Sequence, residues 1–246
     1  MSSRLIFGFH AITAKLRHDP EAVKEILLDA HRHEKGEKRV QDFLKHVESH
    51  HVRLTLVDGK RLDAMLPDAS HQGVLARLEG ARRALHLDDV LDTLESPPLL
   101  LVLDGVTDPR NLGACLRVAD GAGAHAVIAP KDRSAGLNDV AIKTASGAAE
   151  SVPYIVVTNL ARTLRELKER EIHLVGTTGD APKTLYAATW PAATAWVMGA
   201  EGKGMRRLSR ETCDQLVSIP MSGSVESLNV SVAAGVCLFE ARRRLL

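Results

Sequence analysis

From Leu99 onward the apolar residues of this chain come in near-continuous runs: Leu99–Leu103, Ala126–Ala129, Val152–Val157, Ile172–Gly176, Ala195–Gly199 and Leu216–Ile219. A strand with one wet face alternates apolar and polar residues. A strand that is apolar at nearly every position has to be covered on both faces, as in a parallel sheet flanked by helices. The segments between the runs carry helical periodicity over 111–122, 138–147, 160–170, 204–214 and 229–243. Residues 99–246 are therefore expected to form an α/β unit around a parallel sheet.

Residues 1–80 read as a separate, smaller α/β unit. Gly8–Arg17 has a helical pattern and Val23–Leu28 a strand pattern. A polar stretch, His31–Arg39, leads into a helix ending near Ser49. Val52–Val57 reads as a strand, Asp58-Gly59 as a turn and Gly73–Leu78 as a further strand. Residues 81–98 hold two arginines, four acids and Pro97-Pro98, which suits a linker with one short helix. A chain of 246 residues has room for both units.

Charge narrows the function classes. Lys+Arg number 32 and Asp+Glu 31, so a globally basic nucleic-acid coat protein is excluded, whereas a local basic patch is not. Aromatic residues make up 3%, too few for wide base-stacking platforms. The three cysteines, Cys115, Cys213 and Cys237, fit neither a disulfide framework nor a zinc site. His31/His33 and His50/His51 have no ligand-like repeat, and no metal is expected. The run Leu99–Leu103 is far shorter than the ~20 residues that span a bilayer. The start, MSSRLIFGFH, lacks a signal-peptide core, so a cytoplasmic location is expected, with no membrane partner.

Three loops of unusual composition each follow a predicted strand: Asp104–Asn111 (DGVTDPRN), Gly199–Gly204 (GAEGKG) and Pro220–Asn229 (PMSGSVESLN). Ligands of open parallel sheets bind at the carboxyl ends of the strands, so the three loops are expected to converge on one crevice. In the first, Pro109 suits a helix start, and Leu112, Cys115, Leu116 and Ala119 form the buried stripe of that helix. Arg117 lies off the stripe and points outward, to the crevice or to Asp120. In the second, Glu201 sits among Gly199, Gly202 and Gly204, where bare backbone admits a ligand. In the third, Ser227 and Asn229 either cap the last helix or serve the site. Gly121-Ala-Gly123-Ala-His-Ala126 matches a dinucleotide fingerprint, but it ends a helix and precedes a strand, the reverse of the required order.

The segments Asn111-Leu-Gly113-Ala-Cys-Leu-Arg117, Val197-Met-Gly199-Ala-Glu201-Gly-Lys-Gly204 and Ile219–Val232 resemble, in order, the three motifs of the SpoU/TrmH family of RNA ribose 2′-O-methyltransferases. The resemblance covers about residues 99–246. It implies a SPOUT-type parallel sheet with a C-terminal trefoil knot, preceded by a small RNA-binding α/β domain like ribosomal protein L30e. Composition and periodicity carry no sign of a knot. It further implies S-adenosylmethionine as methyl donor, a homodimer, and RNA rather than DNA as substrate. The layout is most like members that modify a guanosine in the peptidyl-transferase P loop of 23S rRNA, on the free rRNA or a large-subunit precursor. A tRNA ribose methyltransferase and a non-catalytic ribosome-assembly factor are the alternatives. Carried over residue by residue, Arg117 activates or stabilises the reacting hydroxyl. Asn111 and Glu201 fix Arg117, and Ser227 and Asn229 shape the site. Gly199, Ile219 and Leu228 hold the cofactor. RNA contacts are expected from Arg110, Lys131/Arg133 and Arg206/Arg207/Arg210, while Arg242–Arg244 reads as a solvated helix end.

Overall fold

The computed structural model describes residues 3–67, 71–79 and 86–245. The chain forms two units with separate interiors, Met1–Arg83 and Ala84–Leu246.

In the smaller unit, β1 (Ser3–Phe7), α1 (Phe9–His18), β2 (Val23–Asp29), α2 (Ala30–Glu34), α3 (Lys38–Ser49), β3 (Leu54–Val57), α4 (Gly59–Met65) and β4 (Val74–Glu79) follow in order. The sheet runs β1-β4-β2-β3, with β2 and β3 parallel and the other pairs antiparallel. One face is covered by α1 and α3 through Ile12, Leu16, Val40, Phe43 and Val47, the other by Leu62 of α4. Two elements differ from the sequence reading. The Leu5-Ile6-Phe7 triplet is an edge strand, and Asp58-Gly59 opens a helix rather than a turn. The Asp58 carboxylate accepts the Lys60 amide at 2.9 Å and so caps α4.

The larger unit comprises α5 (Leu87–Leu91), β5 (Leu99–Asp104), α6 (Pro109–Ala122), β6 (Ala126–Pro130), α7 (Asp139–Ala145), α8 (Ala148–Ser151), β7 (Tyr154–Val157), α9 (Leu160–Glu169), β8 (His173–Thr177), β9 (Thr194–Gly199), α10 (Arg207–Thr212), β10 (Gln215–Val217) and α11 (Val230–Arg243). The sheet order is β10-β8-β9-β5-β6-β7, and every pairing is parallel. Alternate residues of the apolar runs serve opposite faces. Leu99, Leu101 and Leu103 join α6, α7 and α11, whereas Leu100 and Val102 join α9. All six residues of β5 are buried, the five of the apolar run Leu99–Leu103 and, at its end, the carboxylate of Asp104.

The expected linker falls in two parts. Residues 81–85 lie outside the described residues. Leu87, Val90 and Leu91 of α5 pack on the core of the larger unit, and Arg170 pairs with Asp88 and Asp92 at 2.8 and 2.7 Å. The helix expected over 138–147 is two helices, α7 and α8. Ser146 (φ 53°) and Gly147 (φ 100°) take left-handed backbone and break it. The strand expected through Ile219 stops at Val217. Ser218 turns instead to the 183–185 segment, giving its amide to Lys183 and accepting from Leu185.

Of Arg242–Arg244 only Arg243 is a solvated helix-end residue, exposed and paired with Glu240 one turn back. Arg242 donates to the carbonyls of Ala122 and Gly123, closing the C-terminus of α6. Arg244 donates to Ala188 and Leu185, pairs with Glu240, and stacks 3.8 Å from the centre of the Trp190 ring. Arg244→Ala removes the stack and two carbonyl bonds together, and is expected to cost about 2 kcal/mol of stability. Chemical denaturation monitored by Trp fluorescence measures it.

The cysteines are free. Burial pushes the thiols of Cys115 and Cys213 up to about 12, so neither is a nucleophile at neutral pH. Among the described residues no helix is long and apolar enough to cross a membrane.

Candidate active site

The three unusual loops leave the C-terminal ends of β5, β9 and β10. Strands β5 and β9 are neighbours, although they are far apart in sequence. The chain winds outward from β5 through β6 to β7 and then re-enters on the other side, so a crevice opens where the winding reverses. Asp104, buried at the end of β5, ties the first loop to the second. Its carboxylate accepts the Arg206 amide at 2.8 Å and faces the Arg206 guanidinium at 3.3 Å. This pairing explains why helix α10 starts at Arg207, three residues later than its periodicity suggests.

The second loop is a closed turn. Ala200 and Gly204 exchange backbone hydrogen bonds at 3.1 and 2.9 Å, and Gly202 and Gly204 have φ of 74° and 66°. A Cβ on Gly199 would lie 2.1 Å from the Gly204 carbonyl carbon and 2.2 Å from the Met205 nitrogen. Only glycine fits there. Gly199→Ala is expected to cost about 2–3 kcal/mol and to open the turn. Thermal unfolding of the variant reads the loss.

All three loops meet at Asn229. Its side-chain carbonyl caps α11, accepting from the Ser231 amide at 2.9 Å and the Ser231 hydroxyl at 2.6 Å. Its NH2 donates to Asn111 Oδ1 at 2.9 Å and to Glu201 Oε1 at 2.6 Å. One amide thus has both donors and its acceptor in use, and each donor reaches a different loop. Glu201 also faces the Val230 amide at 3.4 Å.

Beside this junction lies a cavity of about 360 Å³. Gly199, Glu201, Ile219, Ser227 and Leu228 line it, together with Met198 and Met221. The end of β8 and the loop after it complete the wall with Thr177, Thr178 and Gly179. Those three were missed by sequence reasoning. The only signal was the small polar run Thr177-Thr178-Gly179-Asp180 at a strand end. Arg210 holds this loop through two bonds to Asp180, at 3.1 and 2.8 Å. That guanidinium, with the Thr178 hydroxyl, keeps the Asp180 carboxyl down at about 2.

Arg117 is placed differently. It does not line the cavity, and among the described residues it has no hydrogen bond or ion pair. Asn111 and Glu201, expected to fix it, instead bond Asn229. Asp120 accepts from Ser151 rather than from Arg117. Arg117 lies six positions after Asn111, about 9 Å along α6 and on a different face. Arg117 lies one turn before Gly121, which packs beside the half-exposed Phe239 ring of α11.

The expected RNA-contact cations also divide. Arg206, Arg207 and Arg210 are paired with Asp104, Glu211 and Asp180. Arg110, Lys131 and Arg133 are exposed and have no such partner among the described residues. Arg133 holds a left-handed φ of 58°, which a side chain takes only at a cost of about 1–2 kcal/mol. Its loop is pinned on both sides, by the Ala135 amide on Val106 at 2.8 Å and by Arg206 on the Asp132 carbonyl at 3.2 Å.

Residues 98–239 match the SpoU rRNA Methylase family, and residues 5–84 match a domain described as RNA 2′-O ribose methyltransferase substrate binding. A relative from Ralstonia nicotianae, the 23S rRNA (guanosine-2′-O-)-methyltransferase RlmB, is 62% identical over 98% of this chain and 96% of its own. Among solved structures, the SpoU methyltransferase AviRb of Streptomyces viridochromogenes, in complex with the cofactor AdoMet, is 26% identical. It covers 99% of this chain and 90% of its own, with a TM-score of 0.74. The A. aeolicus TrmH/SpoU tRNA modifying enzyme is 28% identical with a TM-score of 0.55, and covers 64% of this chain and 81% of its own. A family match over more than half of the sequence thus falls on the unit whose strand-end loops close around Asn229, and the chain belongs to the SpoU rRNA methylase family.

Proposed function

We propose that this chain transfers a methyl group from S-adenosylmethionine to the ribose 2′-oxygen of a guanosine in 23S rRNA, within the peptidyl-transferase P loop. The observation that carries this reading is the Asn111–Asn229–Glu201 junction standing at the edge of the cavity. The cavity suits the donor. Met198, Ile219 and Leu228 offer an apolar wall for a purine, while a Cβ at Gly179 or Gly202 would meet nothing, so bare backbone faces the space. Bound there, the donor supplies a methyl group on a positively charged sulfur.

The residues do the rest by placement. The ribose hydroxyl is a poor nucleophile and must be aligned and relieved of its proton. A guanidinium is a donor and not a base, so Arg117 serves by holding the target phosphate and stabilising charge on the attacking oxygen, while the hydroxyl proton passes to that phosphate or to water. Its distance from Asn111 along α6 is met by a homodimer. Val232 and Phe239 are about half exposed on one face of α11, an apolar face that a second copy would cover. Arg117, beside that face, then serves the cavity of the partner. The same C-terminal segment is proposed to carry the trefoil knot, since Lys183 and Leu185 bracket Ser218 while Leu185 and Ala188 hold Arg244.

The smaller unit is proposed to bind RNA, in keeping with the description of the domain it matches. On the larger unit the RNA backbone crosses Arg110, Lys131 and Arg133. Lys131→Ala and Arg133→Ala are each expected to lower the salt slope of RNA binding by about one while leaving donor affinity unchanged. Filter binding across a salt series measures it.

Substrate class has its own test. Relatives that match the chain end to end are named for 23S rRNA, whereas the tRNA modifying enzyme matches under two thirds of it. With unmodified 23S rRNA and unmodified tRNA in competition, labelled methyl is expected in the rRNA. Label in tRNA alone overturns the rRNA assignment.

A further inference from the structure

The charge of the cavity is one-sided. Among the described residues that line it none is Lys, Arg or His, and two are glutamates, Glu201 and Glu226. Glu201 is bonded to two neutral donors, the Asn229 side chain and the Val230 amide, so its charge is not cancelled, but it is fixed in place as part of the junction that donor and product both meet. Arg210 comes within 3.5 Å of the Thr178 hydroxyl, but its charge is cancelled by the two-pronged pair with Asp180. Glu226 stands apart. It is exposed on the third loop, and among the described residues it has no hydrogen bond or ion pair.

We propose that Glu226 is a specificity-determining residue that makes the cavity prefer the sulfonium donor over its demethylated product. The inference rests on the cavity being the S-adenosylmethionine site. Donor and product share the adenosine and amino-acid portions. They differ by one methyl group and one positive charge on sulfur. A wall of apolar groups and backbone amides barely distinguishes them, because a single methyl changes little contact area. A carboxylate with no cation of its own does distinguish them, since its attraction for the sulfur disappears once the methyl has left. The same residue thereby favours exchange of spent product for fresh donor. Its place on an exposed loop keeps the attraction modest, so binding stays reversible.

The test is calorimetric titration of the full chain with S-adenosylmethionine and with S-adenosylhomocysteine. Wild type, Glu226→Gln and Glu226→Lys are compared. Neither substitution removes a contact on which the fold depends. Glu226→Gln is expected to weaken donor binding about threefold and to leave product binding unchanged. Glu226→Lys is expected to extend the donor loss to about tenfold, again sparing the product. Equal weakening of both ligands makes Glu226 a merely structural part of the loop and overturns the proposal. No change in either affinity overturns it as well. If neither ligand binds the wild-type chain, the methyl-donor reading falls, and the inference with it.

Discussion

Asn229→Asp is expected to lower methyl transfer about a hundredfold while leaving the fold and the cap of α11 in place. The two side chains have the same shape. An aspartate still accepts from the Ser231 amide and hydroxyl, so the start of α11 is kept. It has no proton to give to Asn111, and it sets a second carboxylate 2.6 Å from Glu201. Like charges at that distance push the second loop away from the third, and the cavity between them loses its shape. Circular dichroism should match the wild type while single-turnover methyl transfer falls. Undiminished transfer would mean that the junction does not position the reacting groups.

Arg117→Ala is expected to lower transfer about a thousandfold, with little change in stability or in donor affinity. The side chain is exposed and unpaired among the described residues, so the fold loses little with it. Its placement gives a second, sharper expectation. If Arg117 serves the cavity of the partner, then mixing Arg117→Ala subunits with Asn229→Asp subunits rebuilds one complete site per mixed dimer. Activity should return on mixing two inactive preparations. If Arg117 acts within its own chain, every site in the mixture lacks one component and nothing returns.

Much of the larger unit was legible because β5, β6 and β9 are covered on both faces, which leaves an apolar run no reader of the sequence can miss. The three loops were legible for a related reason. Gly199 cannot carry a Cβ, and Asn229 must both cap and donate, so the backbone dictates the residue types. What was not legible depends on strand order. Nothing local says that β8 lies between β9 and β10, and only that order brings Thr177 and Thr178 into the wall. Charge pairing was hidden for the same reason. Arg206 and Arg133 look alike in sequence, yet Arg206 is taken up by Asp104, 102 residues away, and Arg133 is left to solvent. The edge strand β1 was missed because three apolar residues before Gly8 are too few to show alternation. Arg242 and Arg244 were misread because their acceptors are backbone carbonyls, which leave no trace in a sequence.

The most direct measurement digests the reacted RNA to nucleosides and identifies the methylated one by mass spectrometry. The RNA is 23S rRNA from a strain lacking this gene, incubated with the purified chain and S-adenosylmethionine. The expected product is 2′-O-methylguanosine, confined to a fragment carrying the peptidyl-transferase P loop. A methyl group on a base, or on the ribose of another nucleotide, would contradict the account.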